Sequence, residues 1–491
     1  MKKYISALLL LVTVQVNAYD FVVKNIYYNI ISPNEVAVTR SESEYSGIVR
    51  IPEQVTYGNN SYAVTEVEQS AFAVFTKLTE VVLPNTIKKI GDNAFASCFS
   101  LKKFNIPNSV EYIGASAFNH CEALDTIRIP ENVMHIGQNA FGANTQLKWI
   151  EVAHFNRNYM SEEGVLFNSD QTEIVSFPAG KEGHYDIPVT ITTISEGVFY
   201  NARLTSVKIP YGVMTIDKQA FWYCSELQSV EIPPSVIFIG EQAFSHCRSL
   251  KEISIPASVQ TIEKEAFLEC RSLKNIDIPS SIFVVNERTF AYCTSLEKVN
   301  IKSATVRAID KLAFSFCTSL KELTLPSTVI YVGHGAFYPC KQLSKIRVHH
   351  VKPLPLNGYV FSDVDKSKCE VFVPAGSLKE YKEANEWKDF KHFVPTNYQF
   401  TVSFSQPKNG TLTLLNDSVA IQSGSEFAQS TELVFSLVCE EGYEFEQFII
   451  NGITLDFLPP SFQLMDDTKI EVKLKRSEKP NERVIELAQR N

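Results

Sequence analysis

Positive charge is scarce in this sequence relative to negative charge. The 491 residues include 46 lysines and arginines against 55 aspartates and glutamates, which gives a formal net charge of −9 and a pI near 5.6. Nucleic acid is therefore not an expected partner, because binding phosphate requires concentrated positive charge. Since 45% of the residues are hydrophobic, the chain is expected to fold.

The sequence also lacks the short motifs of catalysis and metal binding. It has no C-x-x-C or H-E-x-x-H spacing, no glycine-rich phosphate loop and no nucleophile elbow. The pairs His120–Cys121 and His246–Cys247 combine metal-ligating residue types, but adjacent residues of an extended coil point to different sides. We therefore expect no enzyme activity, no cofactor and no metal site.

Long apolar runs are absent beyond the N-terminus. Lys2 and Lys3 precede the apolar run Ile5–Val14, and the small residues of a cleavage site follow at Val16–Ala18. This pattern predicts a signal peptide at residues 1–18 and an exported chain. The run is too short to cross about 30 Å of hydrocarbon, and no later stretch approaches 18 apolar residues. The mature chain is expected to be secreted or held at the cell surface, without a membrane span.

A repeat of about 23 residues dominates the chain. Its pattern, clearest at Ile232–Leu250, is IP-x-x-V-x-x-IG-x-x-AF-x-x-C-x-x-L. The phenylalanine recurs every 22 to 24 residues, except for one gap of 58 residues. The phenylalanines at this position are Phe72, Phe95, Phe118, Phe141, Phe199, Phe221, Phe244, Phe267, Phe290, Phe314 and Phe337. A fixed period of this length indicates a solenoid, in which each repeat stacks on its neighbours.

Within each coil the pattern predicts one β-strand and one short helical turn. In Leu101–Pro107 the alternation places Phe104 inside, and Lys103 and Asn105 outside. The Ala-Phe-x-x-Cys segment is expected to form the helical turn that inserts phenylalanine and cysteine into the core. Gly114, in the V-x-x-I-G segment, is expected to allow a tight bend.

Regular coils are predicted from 67 to 348, between two caps that cover the ends of the core. Alternating strands predict an N-terminal β cap at 19–66. The segment 349–395 is predicted to be a C-terminal cap, with Leu378, Tyr381, Ala384 and Trp387 on one helical face after Ser377. His349–His350 is expected to mark the junction with this cap and not a catalytic pair.

The coil at 151–186 breaks the period. It is predicted to contain a hairpin with strands Gly164–Phe167 and Glu173–Phe177. The polar residues of its turn, Asn168, Asp170 and Glu173, could offer oxygen ligands to calcium. An ordinary polar turn is the simpler interpretation.

A separate small β module is predicted at 396–475. The segments YQFTVSF, GTLTLL, ELVFSLV, YEFEQFII and KIEVKLK alternate as strands between glycine-containing turns. Residues 476–491 are charged and free of aromatic residues, and are expected to form a loose tail.

Ten cysteines in an exported chain first suggest disulfides. Eight occupy one position of the repeat: Cys98, Cys121, Cys224, Cys247, Cys270, Cys293, Cys317 and Cys340. Equivalent side chains of stacked coils project in parallel, so their Cβ atoms do not converge as a disulfide requires. We therefore expect free, buried thiols. Cys369 and Cys439 are out of register and are not assigned.

These motifs resemble the BspA-like class of bacterial leucine-rich repeats, with IP, V-x-x-IG, AF and C-x-x-L at the same spacing over about residues 45–395. The resemblance implies a leucine-rich repeat solenoid, here followed by a small all-β domain. It also implies secreted or cell-surface proteins of Bacteroides-type bacteria that bind host proteins or neighbouring cells. The terminal module is similar to the divergent internalin B-repeat family through its G-T-L-T, E-G-Y-x-F and D-D-T-K-I segments.

Outward strand positions are predicted to stack into a column on the concave face, the surface that solenoids use for binding. The residues expected to contact a partner are Lys103, Asn105, Arg128, Trp149, Glu151, Lys208 and Glu231. Trp149 is the first candidate, since an outward aromatic residue is typical of an interface hot spot. Alternatively, Trp149 packs under the 151–186 insertion.

The mixed charges of this column fit an extracellular or host protein, or a surface glycan. The sequence therefore predicts a recognition or adhesion protein. The alternative is a structural or scaffolding protein of the cell envelope without a dedicated ligand.

Overall fold

The structure, a computed structural model, describes residues 19–301, 305–356 and 358–477. The predicted signal peptide at 1–18 and the predicted tail beyond Ser477 lie outside the described residues. The chain divides into two compact units. The first unit contains the described residues up to His184 together with Thr190–Leu204, and the second contains Tyr185–Val189 and the described residues from Thr205 onward.

The first unit begins with a sheet that continues into the repeats. Strands Phe21–Val23, Ile26–Ser32 and Glu35–Thr39 are antiparallel neighbours. Glu35–Thr39 then pairs in parallel with Asn60–Val67, which also forms a hairpin with Gln54–Tyr57. The tight turns that connect the hairpin strands fall at Lys24–Asn25, Pro33–Asn34 and Gly58–Asn59, residue types that favour turns at the last two positions.

Two parallel ladders run through the repeats of the first unit. The first ladder contains the L-x-x-[IV]-x-[IL] segments, whose residues alternate between core and solvent, as in Thr126–Ile129. Its strands are Gly47–Arg50, Leu78–Val82, Lys103–Phe104, Thr126–Ile129 and Trp149–Val152. The second ladder contains the V-x-x-I segments. Its strands are Asn60–Val67, Lys89–Ile90, Tyr112–Ile113 and His135–Ile136.

The insertion after Trp149–Val152 is a three-stranded antiparallel sheet. Its strands are Tyr159–Glu162, Val165–Asn168 and Ile174–Ser176. The second and third strands form the predicted hairpin, and the first was not predicted. The side-chain oxygen of Asn168 accepts the N–H groups of Thr172 and Glu173 at 2.9 and 3.0 Å. The asparagine thus closes a polar turn, as the simpler interpretation expects.

The second unit has two ladders formed by the same two kinds of segment. The first ladder has Ser229–Glu231 paired with the end of Arg203–Lys208, and a six-stranded parallel sheet. The strands of that sheet are Asn275–Ile278, Lys298–Ile301, Glu322–Leu325, Lys345–Val348, Glu370–Pro374 and His392–Thr396. The strands of the second ladder are Thr215–Ile216, Phe238–Ile239, Thr261–Ile262, Val284–Val285, Ala308–Ile309 and Tyr331–Val332. The chain passes from the first unit to the second within strand Glu182–Asp186, between His184 and Tyr185.

A file of stacked phenylalanine rings forms the centre of each unit. All eleven predicted phenylalanines are fully buried. Consecutive rings of Phe72 to Phe141 lie 5.0–5.6 Å apart with interplanar angles of 9–12°. From Phe221 to Phe337 the spacing is 5.1–5.4 Å, and Phe361 continues the file at 5.6 Å. The predicted solenoid with an aromatic core is therefore confirmed.

The Ala-Phe-x-x-Cys segment is a chain of turns and not a helix. Its alternate N–H groups, those of Ala94, Ala96 and Cys98, bond to carbonyls three residues back, but two residues of most coils, such as Asn93 and Ser97, have positive φ. This left-handed conformation costs a non-glycine residue roughly 1–2 kcal/mol. It directs the N–H groups of Asn93, Phe95 and Ser97 to carbonyls of the next coil, at 2.8 Å in each case. These turns therefore form a third, all-parallel set of hydrogen bonds between coils, which offsets the strain.

The repeat cysteines reinforce this third face. The thiol of Cys98 donates to the carbonyl of Phe72 at 3.1 Å, and Cys121 donates to that of Phe95 at 3.2 Å. Asn144 replaces cysteine in the next coil, and its amide donates to the carbonyl of Phe118 at 3.0 Å. All ten cysteines are free. In most coils this position thus holds a small donor, and asparagine can supply it.

The glycine of V-x-x-I-G is needed for close approach between coils. A Cβ atom at Gly114 would lie 2.5 Å from the backbone nitrogen of Asp92, and one at Gly137 would lie 2.3 Å from that of Ala115. Neither glycine has positive φ. The expectation that Gly114 serves a tight bend is therefore wrong in its physical reason.

The C-terminal cap is less helical than predicted. One α-helix, Leu378–Glu383, lies between two 3-10 turns, Ala375–Ser377 and Trp387–Asp389. The helix ends because Ala384 is extended, so the predicted single helical face does not form. Tyr381 and Trp387 are nevertheless fully buried.

The β module contains two sheets around one apolar core. The five-stranded sheet has the order Ser425–Ala428, Gln399–Phe404, Thr468–Arg476, Tyr443–Ile450 and Ile453–Leu455. The four-stranded sheet has the order Val419–Ala420, Gly410–Asn416, Glu432–Cys439 and Ser461–Gln463. Five of these strands coincide with the predicted segments. The resemblance to the internalin B-repeat family stays a prediction.

Candidate binding surface

Five of the predicted contact residues lie on the first ladder of the first unit. Their side chains belong to three consecutive coils and all are exposed: Lys103, Asn105, Arg128, Trp149 and Glu151. Strands Thr126–Ile129 and Trp149–Val152 pair in register, so Arg128 lies opposite Glu151. Nε of Arg128 is 3.3 Å from Oε1 of Glu151. Arg128 and Glu151 thus pair between neighbouring coils. We call the five residues the polar column.

Trp149 is partly covered by the insertion and partly open. A Cβ atom at Gly164 would lie 2.8 Å from Cδ2 and Cε3 of the indole, so the glycine backbone lies directly against the ring. The carbonyl of Gly164 accepts the N–H of Ile150 at 2.9 Å. Trp149 remains 50% exposed. The insertion therefore supports the indole and leaves half of its surface free.

The other two predicted residues belong to the second unit. Lys208 and Glu231 lie opposite each other on its first ladder, and both are exposed. Further along that ladder, Glu322 contacts Lys345 at 3.5 Å and Arg347 at 3.2 Å. Charges on this face are thus paired between neighbouring coils.

The thiols are poor nucleophiles. Burial raises the pKa of Cys98 and Cys293 to about 12, and raises that of Cys121 well above its ordinary value. The thiol of Cys121 points into the core, whereas Nε2 of the adjacent His120 lies 3.2 Å from the hydroxyl of Tyr200. Within the ranges that the structure covers, no group of three or more His, Cys, Asp or Glu residues could hold a metal ion.

One charged cluster of the second unit has no counterpart in the sequence-based predictions. The carboxylate of Glu269 lies 3.1 Å from Arg248, 2.8 Å from Arg271 and 3.7 Å from His246. Burial lowers the pKa of His246. Both arginines occupy the position after the repeat cysteine, so the 23-residue period could have revealed that they are neighbours.

His349 and His350 lie where the repeats meet the cap and the β module. Nε2 of His350 lies 2.6 Å from the carbonyl of Val329, and the hydroxyl of Tyr381 donates to the carbonyl of His350 at 2.9 Å. A nearby cavity of about 390 Å³ is lined by the segments Pro374–Ser377, Thr396–Gln399 and Ala428–Ser430, without a charged side chain.

The spacing of the repeats matches a known family. The BspA type leucine-rich repeat region matches in six copies, over residues 53–179, 183–297 and 283–374. The chain belongs to this BspA-type family. No curated protein matches it.

Solved bacterial structures are similar to this BspA-type chain. A leucine-rich repeat protein from Eubacterium ventriosum is 24% identical, with a TM-score of 0.53 over 65% of this chain and 94% of that one. A leucine-rich repeat protein from Bacteroides ovatus is 26% identical, with a TM-score of 0.42 over 77% and 100%. A leucine-rich cell surface protein from Faecalibacterium prausnitzii is 26% identical, with a TM-score of 0.36 over 58% and 94%. The first comparison shows that the solenoid fold is shared.

Among the residues that the structure covers, no helix is long and apolar enough to span a membrane.

Proposed function

We propose that this BspA-type protein is an exported, non-enzymatic recognition or adhesion protein, with an extracellular protein or surface glycan as its partner. The observation that carries the proposal is the polar column, in which five exposed side chains of mixed charge stand on three coils. Hydrogen bonds between coils fix the backbone beneath them, so little conformational entropy is lost when a partner binds. Family membership and the signal-peptide pattern of residues 1–18 support export.

The residues of the second unit, Lys208 and Glu231, are proposed as further contacts on the same type of ladder. The β module is proposed as a spacer, a second contact or an attachment piece. If the protein is instead an envelope scaffold, a deletion of residues 396–491 should release it into the medium while the polar column has no measurable partner.

The test compares two surface variants of the chain starting at residue 19. In the column variant, Lys103, Asn105, Arg128, Trp149 and Glu151 are replaced by alanine. In the control variant, three exposed residues on the second ladder of the same unit, Lys88, Glu111 and His135, are replaced by alanine. Each protein is immobilised and exposed to extracellular-matrix proteins, neighbouring cells and cell-surface polysaccharides.

The proposal predicts a partner at micromolar concentration or below that is retained by the wild type and the control variant and lost by the column variant. Absence of any retained partner, or equal retention by all three proteins, would contradict it. Circular dichroism of both variants checks that the solenoid is intact.

A further inference from the structure

The indole of Trp149 is held in one orientation by the backbone of the insertion. Gly164 has a φ of +81°, a conformation that favours glycine, and a side chain there would collide with the ring. The hydroxyl of Ser161 also accepts the N–H of Val152 at 3.1 Å, which joins the insertion to the strand of Trp149. A flat aromatic surface is thus fixed before any partner arrives.

Polar groups of the neighbouring coil stand next to this surface. Thr126 lies opposite Trp149 in the strand register, and Arg128 lies opposite Glu151, two residues further along. The side chains of Arg128 and Glu151 are 53% and 58% exposed. The guanidinium offers several donors in a plane and the carboxylate offers only acceptors. The pair can therefore donate to the oxygen of a hydroxyl group and accept its hydrogen.

The surroundings of the indole argue for a sugar. The neighbouring outward positions are Lys103, Asn105, Thr126, Arg128 and Glu151, and none of them is a large apolar residue. A protein hot spot relies on surrounding contacts that exclude water, and these five polar positions do not supply an apolar surround on the strand side of the indole. A pyranose does not need such an apolar surround. One face of its ring presents C–H groups to an aromatic surface, and its rim presents hydroxyl groups to nearby donors and acceptors.

We infer that Trp149, Arg128 and Glu151 form a subsite for one pyranose residue of an extracellular glycan. This inference rests on the proposed recognition function and narrows its partner to a carbohydrate. The C–H face of the sugar lies on the open part of the indole, and its hydroxyl groups bond to the guanidinium and the carboxylate. Asn105 and Lys103 extend the surface along the column, in the direction that a further sugar residue would take.

The experiment uses the chain starting at residue 19 and an array of immobilised hexose, hexosamine and uronic-acid oligosaccharides. The oligosaccharide with the strongest signal is then titrated by calorimetry into the wild type and four variants. These are Trp149→Ala, Trp149→Phe, Gly164→Ala and the control Phe155→Ala, which removes an aromatic side chain that is 75% exposed in the same unit.

We expect Trp149→Ala to weaken binding at least tenfold and Trp149→Phe to weaken it only a few fold, because phenylalanine keeps a flat ring. Gly164→Ala should weaken binding by displacing the indole, while Phe155→Ala should bind like the wild type. Glycan binding that is indifferent to Trp149→Ala would overturn the subsite and leave the recognition function standing. The same holds if only a protein partner binds and depends on Trp149. If neither glycan nor protein binds, both proposals fail.

Discussion

Nδ1 of His349 lies 2.5 Å from Oδ1 of Asp466, although the two residues are 117 positions apart in the chain. The second carboxylate oxygen of Asp466 accepts the N–H of Ser327 at 3.0 Å and also the hydroxyl of Ser327. Asp466 is 4% exposed. The β module is thus attached to the repeats of the second unit through a buried carboxylate, and it is not a freely tethered domain.

Replacing Asp466 should loosen the module. We expect Asp466→Ala to lower the free energy of unfolding by about 1–3 kcal/mol, because two partly buried donors of Ser327 lose their acceptor. Hydrogen exchange of strands Gln399–Phe404 and Thr468–Arg476 should accelerate. The control is Asp456→Asn, at an exposed position of the same module. Unchanged exchange in Asp466→Ala would show that the carboxylate does not fix the module.

The stacked phenylalanine rings should make a large contribution to the stability of the repeats. Phe267 is fully buried between Phe244 and Phe290, at ring distances of 5.4 and 5.3 Å. We expect Phe267→Ala to cost about 3–5 kcal/mol in urea unfolding, because it leaves a cavity between two rings. The matched control is Phe283→Ala, at a residue that is 55% exposed, and it should cost under about 1 kcal/mol. Similar losses of unfolding free energy in both variants would show that a stacked phenylalanine stabilises the fold no more than an exposed one.

Close approach of the coils should make Gly137 intolerant of a side chain. The added methyl group of Gly137→Ala would lie 2.3 Å from the backbone nitrogen of Ala115. Overpacking of this kind typically costs about 1–3 kcal/mol, which thermal unfolding can measure. Gly376→Ala is the control, since a Cβ atom there meets no heavy atom within 4 Å. A melting temperature of Gly137→Ala equal to the wild type would refute the close contact.

Burial should protect the cysteines from alkylation. In the native protein at pH 8, iodoacetamide should modify at most Cys439, which is half-buried, because the other nine thiols are buried. Burial raises the pKa of Cys439 as well, so even this reaction should be slow. After unfolding in urea, all ten cysteines should react. Intact-mass spectrometry counts the modifications, and a count below ten in urea would reveal a disulfide.

Protonation of buried histidines should destabilise the fold at mildly acidic pH. Burial lowers the pKa of His350 below the ordinary value near 6.5. The unfolded chain therefore takes up a proton at a higher pH than the folded chain, and stability falls as the pH drops through about 6.5. We expect the free energy of unfolding to decrease between pH 7.5 and 5.5 in the wild type.

The variant His350→Gln can still donate to the carbonyl of Val329 but does not titrate. Its free energy of unfolding should fall less over the same pH range. The histidines His120 and His246, whose pKa burial also lowers, should retain part of the dependence. Parallel pH curves for the two proteins would rule out His350 as a contributor.

Much of the fold could be predicted because every coil carries the same local pattern. Phe95 and Phe118 occupy equivalent positions on coils that are immediate neighbours, so a period in the sequence becomes a contact in space. The same logic placed Arg128 beside Glu151. The same period applies to Phe361, which follows Phe337 by 24 residues and stacks on it. Phe361 was not among the eleven predicted phenylalanines, although its spacing fits.

The sequence by itself determined the period, the buried rings and thiols, and the exposed faces of the strands, since these follow from alternation and from stacking of adjacent repeats. Only the tertiary structure decided that Gly164 supports Trp149, that Asp466 holds the β module, and that two non-glycine residues of most coils adopt positive φ. The first two contacts join segments with no common period. The third depends on acceptors that exist only once the next coil is in place.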